Sequence, residues 1–203
     1  MQATGLLPLN VHELGVDILT ITAHKFYGPK GVGVMYVRRG AVVFPQIHGG
    51  SQERRRRAGT ENVAGIVGLA TALTLADAKR ETEVARLTPL RDAMIAGITG
   101  ELNGVRLTGH PTHRLANNAS FVIDGIDGDS LLIMLDQRGI CASSGSACTS
   151  GSLEPSHVLS ALDVLGSDLQ AALRLTLGRS TTHADVEFIV AQVVTVVQLL
   201  RQA

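Results

Sequence analysis

The chain has no tryptophan and only six other aromatic residues in 203. It has no net charge at neutral pH, with 18 basic residues against 18 acidic. An overall basic field that would draw it to nucleic acid or to acidic membranes is therefore missing. It has two cysteines, Cys141 and Cys148. These make neither a disulfide framework nor a paired zinc-ligand motif, and a reducing, cytoplasmic setting is the simplest expectation. It has three lysines against fifteen arginines. No apolar run approaches the roughly 18 residues of a membrane span. The opening "MQATGLLPLN" lacks the basic start of a signal peptide. Internal repeats and low-complexity stretches are absent too.

Hydrophobic residues make up 45% and charged residues 18%, a balance that can bury a core. "VDILTIT" predicts a strand over 17–22, "YGPKG" a turn, and "VGVMYVR" a second strand over 32–38. An irregular glycine- and arginine-rich segment follows. Two helices are then expected, over 63–80 and 83–98, with Pro89 as a break or kink. After them come strands "VRLTG" and "ASFVIDG" and a helix "DSLLIMLDQRG", capped by Asp127 or Asp129 and closed by Gly139. Next are a strand "ICASS", a helix starting at Pro155, a strand "ALRLTLG" and a last helix. Thr182 and Asp185 make a variant capping box for that helix. Its apolar stripe is Val186, Ile189, Val190, Val193, Val194 and Val197. The organisation is α/β, with a partial first domain over 1–78 and a small second one over 79–203. Two strands, a loop and a helix cannot easily close a core of their own, so strand 17–22 should show open edges and an apolar face.

Four constellations could carry chemistry. Lys25 stands at the carboxyl end of an apolar strand, beside Thr22 and His24, where open α/β sheets bind ligands. A desolvated amine there suits a Schiff base; a surface lysine at a strand end is the bland alternative. The run "ERRRR" reads as a solvated face, because no aromatic residue interleaves it. Thr60 follows it just before a helix, an arrangement that suits phosphate. Cys148 lies in a Gly/Ser-rich stretch, where a thiolate could be exposed, with His157 and Arg174 as candidate neighbours. Cys141 belongs to a predicted strand and reads as core. Arg174, inside an apolar strand, wants a carboxylate partner.

"HKFYGPKGVG", "ERRRRAGTENVAGIVGL", "SSGSACTSGSLEPSHVL" and "LRLTLGRSTT" occur in this order. Together they resemble the cysteine desulfurases of the NifS/IscS type, in the class V aminotransferase group of pyridoxal-phosphate enzymes. The resemblance runs over essentially the whole chain. It implies the C-terminal part of a fold type I transferase: the tail of the large-domain sheet plus a small α/β domain. It implies pyridoxal 5'-phosphate as cofactor and conversion of L-cysteine to L-alanine, with a persulfide left on the enzyme. Lys25 would link covalently to the cofactor and shuttle protons. Thr22 and His24 would contact its phosphate, and Gln2 its phenolic oxygen. Thr60 would reach the partner subunit's cofactor, which implies a homodimer. Arg174 would hold the substrate carboxylate, and Cys148 would take the sulfur. The implied partner is an iron–sulfur scaffold or other sulfur acceptor, with no nucleic acid, membrane or protein-held metal.

The chain departs from the family pattern in two ways. Met1 falls inside the family's Asp-Ala-x-Gln motif, so the aspartate for the ring nitrogen, the stacking histidine and the first phosphate loop are expected before it. Ser51 and Arg55 stand where the family often has glycine. If those positions need a left-handed backbone, the loop before Thr60 is strained. An inactive truncated remnant or interaction module, and a related lyase or aminotransferase that does not need Cys148, remain alternatives.

Overall fold

A computed structural model describes residues 2–144, 157–162 and 170–202. The chain divides into two units, Met1–Thr82 and Glu83–Ala203.

In the first unit, β1 (Ile18–Thr22) and β2 (Gly33–Val37) form an antiparallel hairpin, with Ile18 opposite Val37 and Thr22 opposite Gly33. A 3₁₀ turn, Ala23–Phe26, leaves the end of β1. Three residues per turn place Ala23 and Phe26 on one side. Both are buried, against Leu69 and Ala76, with Ile21, Val32, Ala72 and Leu73 around them. Gly28 is required by closeness: a Cβ there would lie 2.9 Å from Ala23 Cβ and 3.1 Å from Ala72 Cβ. This core is small. Val42, Phe44 and Val63 are 74%, 77% and 66% exposed, and Ile18, Val34 and Met35 also face out. Among the described residues β1 pairs only with β2, so the expected open edge and apolar face are present.

After α1, a short turn over Gln52–Arg55, the chain enters α2, Val63–Glu101. Asn62 starts α2, its Oδ1 accepting the N–H of Gly65 at 3.0 Å. Two helices were expected here, but α2 runs unbroken through Pro89. Pro89 frees the carbonyl of Ala85, and both residues are exposed, so water can satisfy that oxygen. Thr88 Oγ1 donates to the Val84 carbonyl at 2.7 Å, adding a bond at the weakened turn.

The second unit is built on an antiparallel sheet, β3 (Val105–Leu107), β4 (Asn118–Asp124) and β5 (Gln170–Thr176), with β4 in the middle. Ala119, Phe121 and Ile123 of β4 and Leu173 of β5 are fully buried on one face. They share a core with Met94 and Ile98 of α2, Leu131 and Leu135 of α3 (Gly128–Asp136), and Val193, Val196 and Val197 of α5 (His183–Leu200). Gly97 lets α5 approach α2: a Cβ there would lie 2.8 Å from Val190 Cγ1. Of the expected α5 stripe, Val186, Val193, Val194 and Val197 are buried, Ile189 and Val190 half-buried, and Val196 joins them. By length and composition α5 is apolar enough to cross a membrane, contrary to the expectation that no segment is. Its valines lie in this core.

Asp127, rather than Asp129, caps α3, with Oδ2 accepting from Ser130 N at 2.7 Å. Gly139 closes it in the left-handed region, at φ 77°. The capping box of α5 is present: Asp185 N donates to Thr182 Oγ1 at 3.2 Å and Thr182 N to Asp185 Oδ2 at 2.8 Å. The expected strand "ICASS" reduces to one bridge, Ser143 to Arg174. Ile140 is the residue buried there and Cys141 is exposed, so Cys141 is not core. Of the helix expected from Pro155, α4 (His157–Ala161) lies within the described residues.

The N–H donors of Ser130 and Thr182 hold the carboxyls of Asp127 and Asp185 below the usual carboxylate range. A depressed folded pKa gives stability that is present above the ordinary value near 4 and lost as pH falls through the folded one. Thr182→Ala should lower unfolding stability by about 1 kcal/mol. In acid denaturation monitored by circular dichroism, Asp127→Asn and Asp185→Asn should each flatten the loss of stability below about pH 4.

Candidate functional site

Each unit carries one group of candidate residues. In the first, the core side of the 3₁₀ turn takes Ala23 and Phe26, so His24 and Lys25 face out, and both are exposed. Thr22 ends β1, and its Oγ1 lies 3.2 Å from His24 Nδ1 and 3.4 Å from the Val32 carbonyl oxygen. A hydroxyl, an imidazole and a primary amine thus stand at the carboxyl end of one strand. The first two suit phosphate oxygens and the third suits an imine. The expected burial of Lys25 is not seen in this chain. Gln2 is half-buried, before a turn closed by Leu6 N and Leu7 N on the Ala3 carbonyl at 3.0 and 2.9 Å.

Thr60 is exposed, two residues before the cap Asn62. The loop before it is closed by its own polar groups. Gln52 Oε1 accepts from Gly59 N at 3.1 Å, and Ala58 N donates to the Ile47 carbonyl at 3.3 Å. Arg57 donates to the carbonyls of Ala58 and Gly59 at 2.9 and 3.2 Å and pairs with Glu53 at 3.3 Å. The arginine run is therefore not uniform: Arg54, Arg55 and Arg56 are exposed, while Arg57 is tied in. Glu53, Arg54 and Arg55 all have positive φ, at 49°, 57° and 65°. Arg55 thus occupies a left-handed position that glycine would take without strain, whereas Ser51, at φ −93°, does not.

In the second unit, Arg174 lies on β5 with its N–H donating to Ser143 O at 2.7 Å. Its side chain borders a cleft of about 380 Å³, together with Thr108, Arg114, Asn118, Ser120 and Leu159. Arg174 Nε is buried and has no hydrogen-bond partner among the described residues. Arg114 is differently placed. Its guanidinium donates to the carbonyls of His110, Thr108 and Asn118 at 3.0, 2.7 and 3.4 Å. Burial, then the nearby Arg91, lowers its pKa from the usual arginine value. His110 Nδ1 accepts from Thr112 N and His113 N at 3.1 and 2.9 Å, so it too serves the loop.

The loop after β5 is held by Arg86 of α2, which donates to the carbonyls of Thr181, Gly178 and Arg179 at 2.7, 3.1 and 3.0 Å. Cys148 and the side chain of His157 lie outside the described residues. Sequence reasoning missed Ser120, Thr108, Asn118 and Arg86. The polar residue inside the apolar run "ASFVID" was the available signal for Ser120.

The aminotransferase class-V family model matches residues 1–189. The chain is 48% identical over 201 residues to a cysteine desulfurase IscS of Dictyoglomus turgidum, and 49% identical over 201 to one of Methanosarcina thermophila. The chain belongs to the aminotransferase class-V family. Both alignments take 99% of this chain but 51% and 50% of the relative. The chain thus spans about half the length of the curated desulfurases it matches. Solved NifS-like proteins have the same fold. One superposes with a TM-score of 0.86 at 32% identity, covering 98% of this chain and 51% of the other. A NifS-like protein from Rickettsia africae gives 0.87 at 27%, covering 98% and 52%.

Arg55→Gly should raise the thermal stability of the first unit by about 1 kcal/mol, read as slower amide exchange around residues 47–60. Arg86→Ala should destabilise the second unit by about 2–3 kcal/mol in a denaturant melt, since three carbonyls lose a charged donor.

Proposed function

We propose that this chain carries the lysine, the cysteine and the substrate arginine of a pyridoxal-phosphate-dependent cysteine desulfurase. The observation that carries this reading is the exposed turn that presents Lys25 beside the Thr22–His24 pair, in a chain about half identical to named desulfurases. Residues 1–78 would be the tail of the cofactor domain and 79–203 the small domain.

When bound, the cofactor supplies the electron sink. Thr22 and His24 hold its phosphate, Gln2 donates to its phenolic oxygen, and Lys25 anchors it and moves protons at its own Nζ. Arg174 receives the carboxylate of L-cysteine, and its buried Nε fits that task because it lacks a partner. The Cys148 thiolate attacks the substrate sulfur. The substrate Cβ–S bond breaks, an S–S bond forms, and alanine leaves with a proton on Cβ. The product on the enzyme is a Cys148 persulfide, passed to an iron–sulfur scaffold or another acceptor in a cytoplasmic setting. Thr60 serves the phosphate site of a second subunit. The remaining cofactor contacts would belong to the half of the curated desulfurases that this chain does not span.

A non-enzymatic interaction module is the second reading. The exposure of Val42, Phe44 and Val63 favours it, because such surface suits a protein partner.

Mixing the chain with the N-terminal half of a related desulfurase should give a visible absorbance from bound pyridoxal phosphate, lost in Lys25→Ala. Cys148→Ala should abolish sulfide release from cysteine in the presence of a thiol while keeping that absorbance. Absence of cofactor binding in the mixture would remove the enzymatic reading. Equal sulfide release by the Cys148 variant would remove the cysteine's role.

A further inference from the structure

The surroundings of Arg174 point to a second residue for the same ligand. Both backbone groups of Arg174 face Ser143: its N–H donates to Ser143 O at 2.7 Å and its carbonyl accepts from Ser143 N at 3.3 Å. In the β4–β5 ladder Arg174 stands opposite Ser120. Because the backbone groups of Arg174 point the other way, this is a non-hydrogen-bonded pair. Such pairs bring their Cβ atoms to within about 4.5–5.5 Å on one face of the sheet. That face is the one opposite Ala119, Phe121, Leu173 and Leu175, which are all in the core. Ser120 and Arg174 therefore meet in the cleft.

The hydrogen bonds around them decide which donors remain for a ligand. Arg114 gives its bonds to three backbone carbonyls, and His110 Nδ1 accepts two backbone N–H groups. Thr108 Oγ1 lies 2.8 Å from Ser120 Oγ and 3.2 Å from the Ser120 carbonyl oxygen, and when its one proton is given to the serine hydroxyl the serine proton is left for a ligand. No carboxylate is among the described residues that border the cleft. Besides the Asn118 amide and the outer nitrogens of Arg174, the cleft thus offers two donors adjacent on one face of the sheet, the Ser120 hydroxyl and the buried Arg174 Nε–H.

We infer that Ser120 is a further ligand-binding residue: its hydroxyl donates to the same small carboxylate that Arg174 Nε–H receives, with Thr108 orienting it. This rests on Arg174 being the carboxylate-binding arginine, as proposed above. The ligand class is the α-carboxylate of a small amino acid. One oxygen faces the guanidinium edge and the other, or the same one, faces the serine.

The test uses the full chain labelled with nitrogen-15 and follows the Arg174 Nε–Hε resonance during titration with L-alanine or acetate, with chloride as control at constant ionic strength. The wild type should show a saturable shift with the carboxylates and not with chloride. Ser120→Ala should weaken binding about tenfold, the effect of losing one donor to a charged acceptor. Ser120→Thr, which keeps the hydroxyl, should stay within about threefold of wild type, with amide resonances of Phe121 and Leu173 reporting an intact sheet in both variants. Wild-type affinity in Ser120→Ala overturns the role of Ser120 and leaves that of Arg174 standing. Equal weakening in both variants also overturns it, since volume rather than the hydroxyl would then matter. No saturable carboxylate shift in the wild type, or an equal shift with chloride, overturns the Arg174 reading and the serine with it.

Discussion

The alternation of side chains along β4 governs the second unit. Ala119, Phe121 and Ile123 point into a core shared by three helices, and Asn118 and Ser120 point into the cleft. A slip of one residue against β5 would bring the polar set into the core and remove Ser120 from Arg174. Burial of Phe121, Leu173 and their neighbours fixes this register, and the register in turn determines which groups face the cleft. Arg86 and Arg114 then hold the flanking loops by their backbone carbonyls. Their guanidiniums act as braces with several donors each, a task that a single ammonium point charge performs less well.

The first unit presents its chemistry with much less core. Two residues of a 3₁₀ turn, Ala23 and Phe26, are the anchors, and the two between them, His24 and Lys25, are carried outward as a result. The pair Thr22–His24 is preorganised by contact at 3.2 Å, while Lys25 and the apolar residues Val42 and Phe44 are exposed.

What the sequence made legible was local. The capping box at Thr182 and Asp185, the Gly139 stop and the β1–β2 hairpin all depend on residues a few positions apart. Pro89 does not break the helix because its cost depends on exposure: a carbonyl freed on the wet side of a helix loses little. Cys141 was misjudged because a strand was expected where only Ser143 makes a bridge, and Ile140 took the inward position. Ser120 and Thr108 could be found only after β3, β4 and β5 were aligned, since their meeting with Arg174 is a matter of register across more than fifty residues of chain. The family resemblance named Lys25, Thr60 and Arg174 without needing their surroundings. The surroundings then added the orphaned Nε and the hydroxyl beside it.

The turn at Glu53–Arg55 has a consequence for the life of the molecule outside any active site. Three successive side-chain-bearing residues held left-handed leave a segment whose free chain prefers another shape. It is also the most basic stretch of the sequence, and three of its four consecutive arginines are exposed. A backbone inclined to open and rich in arginine is what a trypsin-like protease selects. Among the described residues this turn, more than either sheet, is therefore a place where the chain is open to being cut.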